Sequence, residues 1–261
     1  ANITNSRDAS GEYIFSGFQG SSQAFARDGQ GDWVYQGDEG QRKLEIDDGV
    51  TVPISDHGKG IFVDVPRSVS VENSASTNGY ISGLEVVDQD ALRAASPPDS
   101  PRKSIYLGVQ AGEVIEVDAS GTPVTPAVTF GNIDEEIDVY GMKMTVNGAE
   151  DGSRFEVGIN REQSVFGTIE NLIDGLEGIA KGSDRGNAEY DALIAESLTN
   201  LDNAQEKIIL KQTELGGRLN AVESTTAFLE DSGLYTKEIR SQLQDVDYAE
   251  AISNLSFQSF V

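Results

Sequence analysis

The sequence has no cysteine and is short of cations. Its 261 residues carry 19 Lys and Arg against 44 Asp and Glu, a net charge of −25, with one His and one Trp. Without cysteine there can be no disulfide, thiol nucleophile or thiolate metal site, an absence that fits either a cytosolic or an exported protein. No stretch of the chain collects the basic residues, so binding to nucleic acid, whose phosphates must be neutralised by cations, is not expected. Docking on anionic lipid is disfavoured for the same reason, and no membrane partner is expected. The acidic surface reads first as a solubility feature. No run approaches the length of a membrane-crossing helix, and the N-terminus lacks the basic-then-apolar order of a cleavable signal peptide. Ala1-Asn2-Ile3-Thr4 is not an initiator start, so both ends read as boundaries of a piece.

Signals of chemistry are weak. Forty-four carboxylates make close acidic pairs inevitable, so no pair stands out as the acid and nucleophile of a glycosidase. His57, the single histidine, sits beside Gly58 and Gly60 and reads as a solvated turn residue. A histidine-based triad or zinc site loses its support with it. Asp28-Gly29-Gln30-Gly31-Asp32 and the segment 132–138 are acidic turns without the twelve-residue spacing of a calcium loop. Gly58-Lys59-Gly60 lacks the remainder of a phosphate-cradling loop. No catalytic, cofactor-binding or metal residue is assigned, no cofactor is expected, and the chain does not read as an enzyme.

What the chain does have is pattern. Hydrophobic residues make up 38%, enough for a lean core in one large domain or two ordinary ones. Residues 1–10 are polar and read as the end of a helix stopped by Gly11. Short aromatic and β-branched runs follow: Tyr13-Ile14-Phe15, Trp33-Val34-Tyr35, Leu44-Glu45-Ile46 and Val50–Ile54, with Asp48-Gly49 as a turn. They predict hairpins, with Trp33 and Tyr35 on one side of a strand as packing residues. From 61 to 157 the pattern stays β, with strands expected at 61–65, 80–87, 104–109, 113–117, 127–130, 138–146 and 154–157 and a helical turn at 89–95.

Helix takes over near Glu162, through Val165, Ile169, Leu172, Ile173 and Leu176, and breaks at Gly182-Ser183-Asp184. A long helix is predicted from about Asn187, with Ile194, Leu198, Leu201, Ile208, Leu215, Leu219, Val222 and Leu229 three, four or seven residues apart. That spacing makes a narrow apolar seam, the pattern of helices packed lengthwise against partners. Gly216-Gly217 predicts a kink or a close helix contact, and Ser232-Gly233 a second break. The fold class expected is α+β: an elongated rod of long antiparallel helices with β hairpins, carrying an inserted antiparallel β domain. The rod is assigned to 1–46 and 159–261, and the outer β-rich domain to 47–158.

Several motifs resemble one family. The run Gly11-Glu12-Tyr13-Ile14-Phe15-Ser16-Gly17-Phe18, followed by Val34-Tyr35-Gln36-Gly37-Asp38-Glu39-Gly40-Gln41-Arg42, resembles bacterial flagellar hook-associated protein 3, the hook–filament junction family related to flagellin. Gly216-Gly217-Arg218-Leu219-Asn220-Ala221 is similar to a segment that flagellins and this family share. Phe155-Glu156-Val157 with Gln163-Ser164-Val165-Phe166, and the stretch from Ser241 to Ala251, resemble the family's return from β domain to helix and its approach to the terminal coiled coil. The matches lie at both ends of the chain in the family's order, while the middle, 69–131, carries none.

The resemblance implies a core piece lacking the family's terminal coiled-coil segments, which polymerise in the tubular core. It implies a structural adaptor, extracellular and secreted without a cleavable signal. Its partners would be copies of itself in a ring, a neighbouring hook-associated protein and filament-side subunits. On this reading the isolated chain is monomeric. The stripe from Ile194 to Leu229 is expected to pack internally. Ile239, Leu243, Val246, Tyr248, Ile252 and Leu255 are the candidate subunit contacts, because the implied partner helix is missing. A flagellin-type filament subunit is the alternative, and a glycan-binding role for the β domain ranks below it.

Overall fold

The computed structural model describes residues 2–72, 79–97, 102–159 and 161–259, and the side chains of 72 and 245–249 lie outside that description. The fold is α+β, and the chain divides into two compact units, Ala1–Gly40 with His57–Leu210 and Gln41–Asp56 with Lys211–Val261.

The first unit holds most of the β structure. After a 3₁₀ turn at Ile3–Asn5, a two-stranded ribbon pairs β1 (Phe25–Arg27) with β2 (Trp33–Tyr35). The helix end expected over 1–10 is therefore reduced to that one turn. Tyr13 belongs to an isolated bridge with Arg7 and to no hairpin.

Further along, strands β5 (Ser70–Glu72), β6 (Tyr80–Val86), β7 (Ser104–Gln110), β8 (Glu113–Val117), β9 (Thr129–Asn132), β10 (Glu136–Val139), β11 (Met142–Asn147) and β12 (Arg154–Gly158) form two antiparallel sheets. Their orders are β10-β11-β6 and β5-β12-β7-β8-β9. Alternate residues of both sheets enter one core, in which Ile105, Leu107, Val114, Val139, Met142, Val146 and Val157 are closed to solvent. The second unit contains the hairpin of β3 (Lys43–Asp47) and β4 (Val50–Pro53), turned at Gly49 with φ +73°.

Two strand expectations are corrected. The run 138–146 is a hairpin and not one strand: Tyr140 and Gly141 take φ +55° and +82°, the pair of left-handed residues that closes a two-residue turn. The Tyr140 hydroxyl donates to Glu116, which Arg102 also holds, and those contacts fix a tyrosine where sequence favours asparagine. The run 61–65 begins in the short helix α1 (Lys59–Phe62). Ile61 and Val65, four apart, are both buried, and Phe62 packs against Phe15 and Phe25 at 5.3 and 5.9 Å between ring centroids. Tertiary packing overrides β propensity there.

The longer helices follow their caps. α2 (Gln89–Ala95) starts on the Asp88 carboxylate, which accepts from the amides of Asp90 and Ala91. α3 (Val165–Gly178) starts on Ser164, whose hydroxyl accepts from Gly167 N at 2.9 Å. α4 (Asp184–Ser259) runs for 76 residues, continuing through Gly216-Gly217 and through Ser232-Gly233, where the sequence predicts a break. A Cβ added at Gly216 or Gly217 would meet nothing within 4 Å. The close helix contact is instead at Gly175 of α3, where a Cβ would lie 2.5 Å from Leu193 of α4.

Candidate assembly surfaces

The motif residues near the N-terminus serve packing. Phe25 lies 5.2 Å from the rings of both Tyr35 and Phe166, and Trp33 stacks on Phe166 at 5.2 Å and 25°. Phe25 and Trp33 thus tie the β1–β2 ribbon to the first turn of α3, and Tyr35 packs on Phe25 within the ribbon. The Tyr35 hydroxyl donates to the carbonyls of Phe15 and Asp38 at 2.9 and 2.7 Å, and burial pushes the phenol up to about 12. The Asp38 carboxylate accepts from the amides of Phe18 and Gly40, folding the loop over Gly17, whose φ is +71° and where a Cβ would stand 2.2 Å from Asp38 Oδ1. This close approach explains the Gly17 and Asp38 of the motif.

In the second unit, Arg218 of the Gly216-Gly217-Arg218 motif has a specific partner. Its guanidinium donates to both carboxylate oxygens of Asp56, at 2.8 and 3.0 Å, and also to Glu214. Lys211 Nζ and Gln41 Nε2 reach Asp56 Oδ1 at 3.2 and 3.0 Å. Burial alone would push the Asp56 carboxyl up, but the Arg218 and Lys211 donors outweigh it and hold it below the ordinary range. The hydrogen bond to Asp56 in turn raises Arg218 beyond its already high value. This fork joins the base of the β3–β4 hairpin to α4. Sequence reading singled out the arginine but not Asp56, because the two are 162 positions apart.

The remaining feature is uncovered apolar surface. Of the candidate contacts, Leu243 is 65% and Leu255 69% exposed, Ile252 is half exposed and Ile239 somewhat less. The side chains of Val246 and Tyr248 lie outside the described residues. The internal packing expected for the upstream stripe is corrected: Leu198, Leu215 and Leu219 are more than half exposed and Leu229 nearly so. The reason is length. At about 1.5 Å per residue the 14 residues of α3 span roughly 21 Å against roughly 114 Å for the 76 of α4. No helix among the described residues can line such a seam.

The acidic turns close on themselves. Asp28 Oδ1 accepts from the amides of Gln30, Gly31 and Asp32 at 2.8–3.0 Å, which holds its carboxyl below the ordinary range. Asp134 accepts from Gly148 N, and His57 Nδ1 from Gly60 N at 3.3 Å. Among the described residues no cluster of His, Asp and Glu is placed to hold a metal, and no helix is long and apolar enough to cross a membrane.

Residues 198–259 match the family described as the bacterial flagellin C-terminal helical region. The fold is similar to that of flagellar hook associated protein-3 from Legionella pneumophila, with 22% identity, a TM-score of 0.67, and 91% of this chain and 76% of that one covered. It is similar to FlgL from Xanthomonas campestris at 21% identity and a TM-score of 0.71, covering 92% and 76%. A structure of the flagellar junction protein FlgL from Legionella pneumophila aligns at 22% identity and a TM-score of 0.63, covering 85% and 74%. No curated protein matches the chain in sequence.

Proposed function

We propose that this chain is a structural subunit of the bacterial flagellum that joins hook to filament. The observation that carries the reading is the fold likeness along 92% of the chain to FlgL, of which a relative is described as a flagellar junction protein. The action is contact without catalysis. Copies of the chain arranged in a ring bury the Ile239–Leu255 seam against neighbouring helices, and other faces meet a second hook-associated protein and filament-side subunits. The protein works outside the cell.

A helix with this much bare apolar surface is unfavourable in water, at about 25 cal/mol per Å², and burial against partners removes that penalty. The Arg218–Asp56 fork then sets the direction in which the β3–β4 hairpin leaves α4. Deletion of the gene in the source bacterium, scored by electron microscopy, tests the reading. The expected result is hooks without filaments, subunits shed into the medium, and rescue by the intact gene. Filaments growing on intact hooks would overturn it.

The match of 198–259 to the flagellin helical region favours a second reading, a filament subunit. Under that reading the deletion removes filament protein itself, and no flagellin is shed. The Gly11–Phe18 and Val34–Arg42 motifs, which resemble the junction family, support the first reading.

A further inference from the structure

Cations are scarce in this chain, and the structure commits many of them to carboxylates: Arg67 to Glu196, Arg102 to Glu116, Arg161 to Glu156 and Arg218 to Asp56. Arg7 is held differently. Its guanidinium lies 4.3 Å from the centroid of the Tyr13 ring and donates to the Tyr13 hydroxyl at 2.6 Å, with no carboxylate partner among the described residues. It lines a pocket of about 560 Å³ with Asn2, Tyr13, Gln23, Arg27 and Trp33. Arg27 is the second cation there, its guanidinium 5.1 Å from the centroid of the Trp33 ring, one nitrogen 3.3 Å from Glu170 and another donating to the Gly31 carbonyl.

Arg7, set against the Tyr13 ring, keeps N–H donors for a ligand and is fixed in place before it arrives, while Arg27, paired with Glu170 and Gly31, adds positive charge beside it. A carboxylate fits such a fork in two-pronged fashion. The local field favours negative charge, since the Arg7 and Gln23 donors hold the Tyr13 phenol below its ordinary range.

We propose that this pocket receives an acidic side chain from a second copy of this chain. With a net charge of −25 per copy, neighbours repel unless carboxylates of one meet cations of the other. Each copy offers 44 carboxylates, which makes the chain itself a partner of matching chemistry. The inference rests on the assembling-subunit reading, because neighbours must be held side by side for so small a contact to count. Alone, exposed ion pairs are weak, so the isolated chain associates only at high concentration.

Trp33 is the sole tryptophan and lines the pocket, so its emission reports on this place and no other. Sedimentation velocity of the chain up to millimolar concentration, at physiological ionic strength, is read together with that emission. The expected result is a sedimentation coefficient that rises with concentration, in step with a change in emission. Arg7→Gln should weaken the association about fivefold, the size of one effective ion pair. If Arg7→Gln fails to fold, glutarate added to the wild-type chain at constant ionic strength should compete the association away. Sedimentation independent of concentration overturns the proposal, as does association indifferent to Arg7→Gln and glutarate. So does binding of a glutamate-rich peptide in the absence of any self-association. Those outcomes leave the junction reading standing, whereas filaments on the hooks of a deletion strain remove that reading first.

Discussion

Asp56 gathers three donor side chains, and the consequences of that arrangement can be read at single positions. Arg218→Ala leaves a largely buried carboxylate with Lys211 and Gln41 only. Hydrogen bonds to charged groups contribute about 1.5–3 kcal/mol each, so the local opening of the hairpin base should become easier by roughly that amount. Hydrogen exchange at Arg42 N and Ile54 N reads it directly, since these amides bond to Ser55 Oγ and Arg42 O at the hairpin base. Arg218→Lys should recover only part of the protection, because an ammonium cannot span both oxygens.

The pH dependence follows from the direction of the shift. Asp56 is held below its ordinary value, so its contribution is complete above the unfolded value of about 3.9 and fades as pH falls through the folded one. Protection of the same two amides should therefore fall in the acid range below about pH 4. If it stays constant down to the pH at which the β domain itself unfolds, the fork contributes nothing to the hairpin. Gly141 is a second such position. A Cβ there would lie 2.3 Å from the Asp88 carbonyl oxygen at φ +82°, and Gly141→Ala should cost about 2 kcal/mol or more in a denaturant midpoint.

Among the elements, α4 departs most from expectation in its glycines. Gly216 and Gly217 have no neighbour that a methyl group would touch, so replacing both by alanine should stabilise the helix by about 1 kcal/mol each. A higher melting temperature by helical circular dichroism checks this, and a lower one would mean that a partner for the glycines exists within the chain. The elements differ in how far the sequence exposes them. α2 and α3 start on capping side chains, α3 and α4 carry helical spacing, and β7, β8 and β12 alternate into one shared core, so all six are legible.

The α1 turn is not legible, because what makes it helical is the packing of Phe62 on Phe15 and Phe25, from segments distant in sequence. Nor is the 140–141 turn, since Glu116 and Arg102 hold Tyr140 in place and neither is local. The sequence boundary at 46/47 falls inside the β3–β4 hairpin for a related reason: the link from Asp56 to Arg218 leaves no local mark. The candidate contacts are legible as a seam by spacing alone, but whether a seam is covered depends on what else the chain supplies.

For the molecule as a whole, the bare seam separates stability from assembly. Side chains already open to solvent contribute little to folding, and surface substitutions away from special features usually stay within about 0.5 kcal/mol. Leu243→Gln combined with Leu255→Gln should therefore leave the denaturation curve of this chain nearly unchanged. If the seam is a subunit interface, in a cell the same pair removes two apolar contacts from it. If the seam joins copies, the variant should be exported and recovered in the medium, with hooks that end bare. Replacement of both leucines by methionine, which conserves volume and apolarity, should restore the filaments. Filaments growing normally on the glutamine variant would place the subunit contacts on another face. Loss of filaments with an unstable variant would instead mean that the seam is buried within the protein.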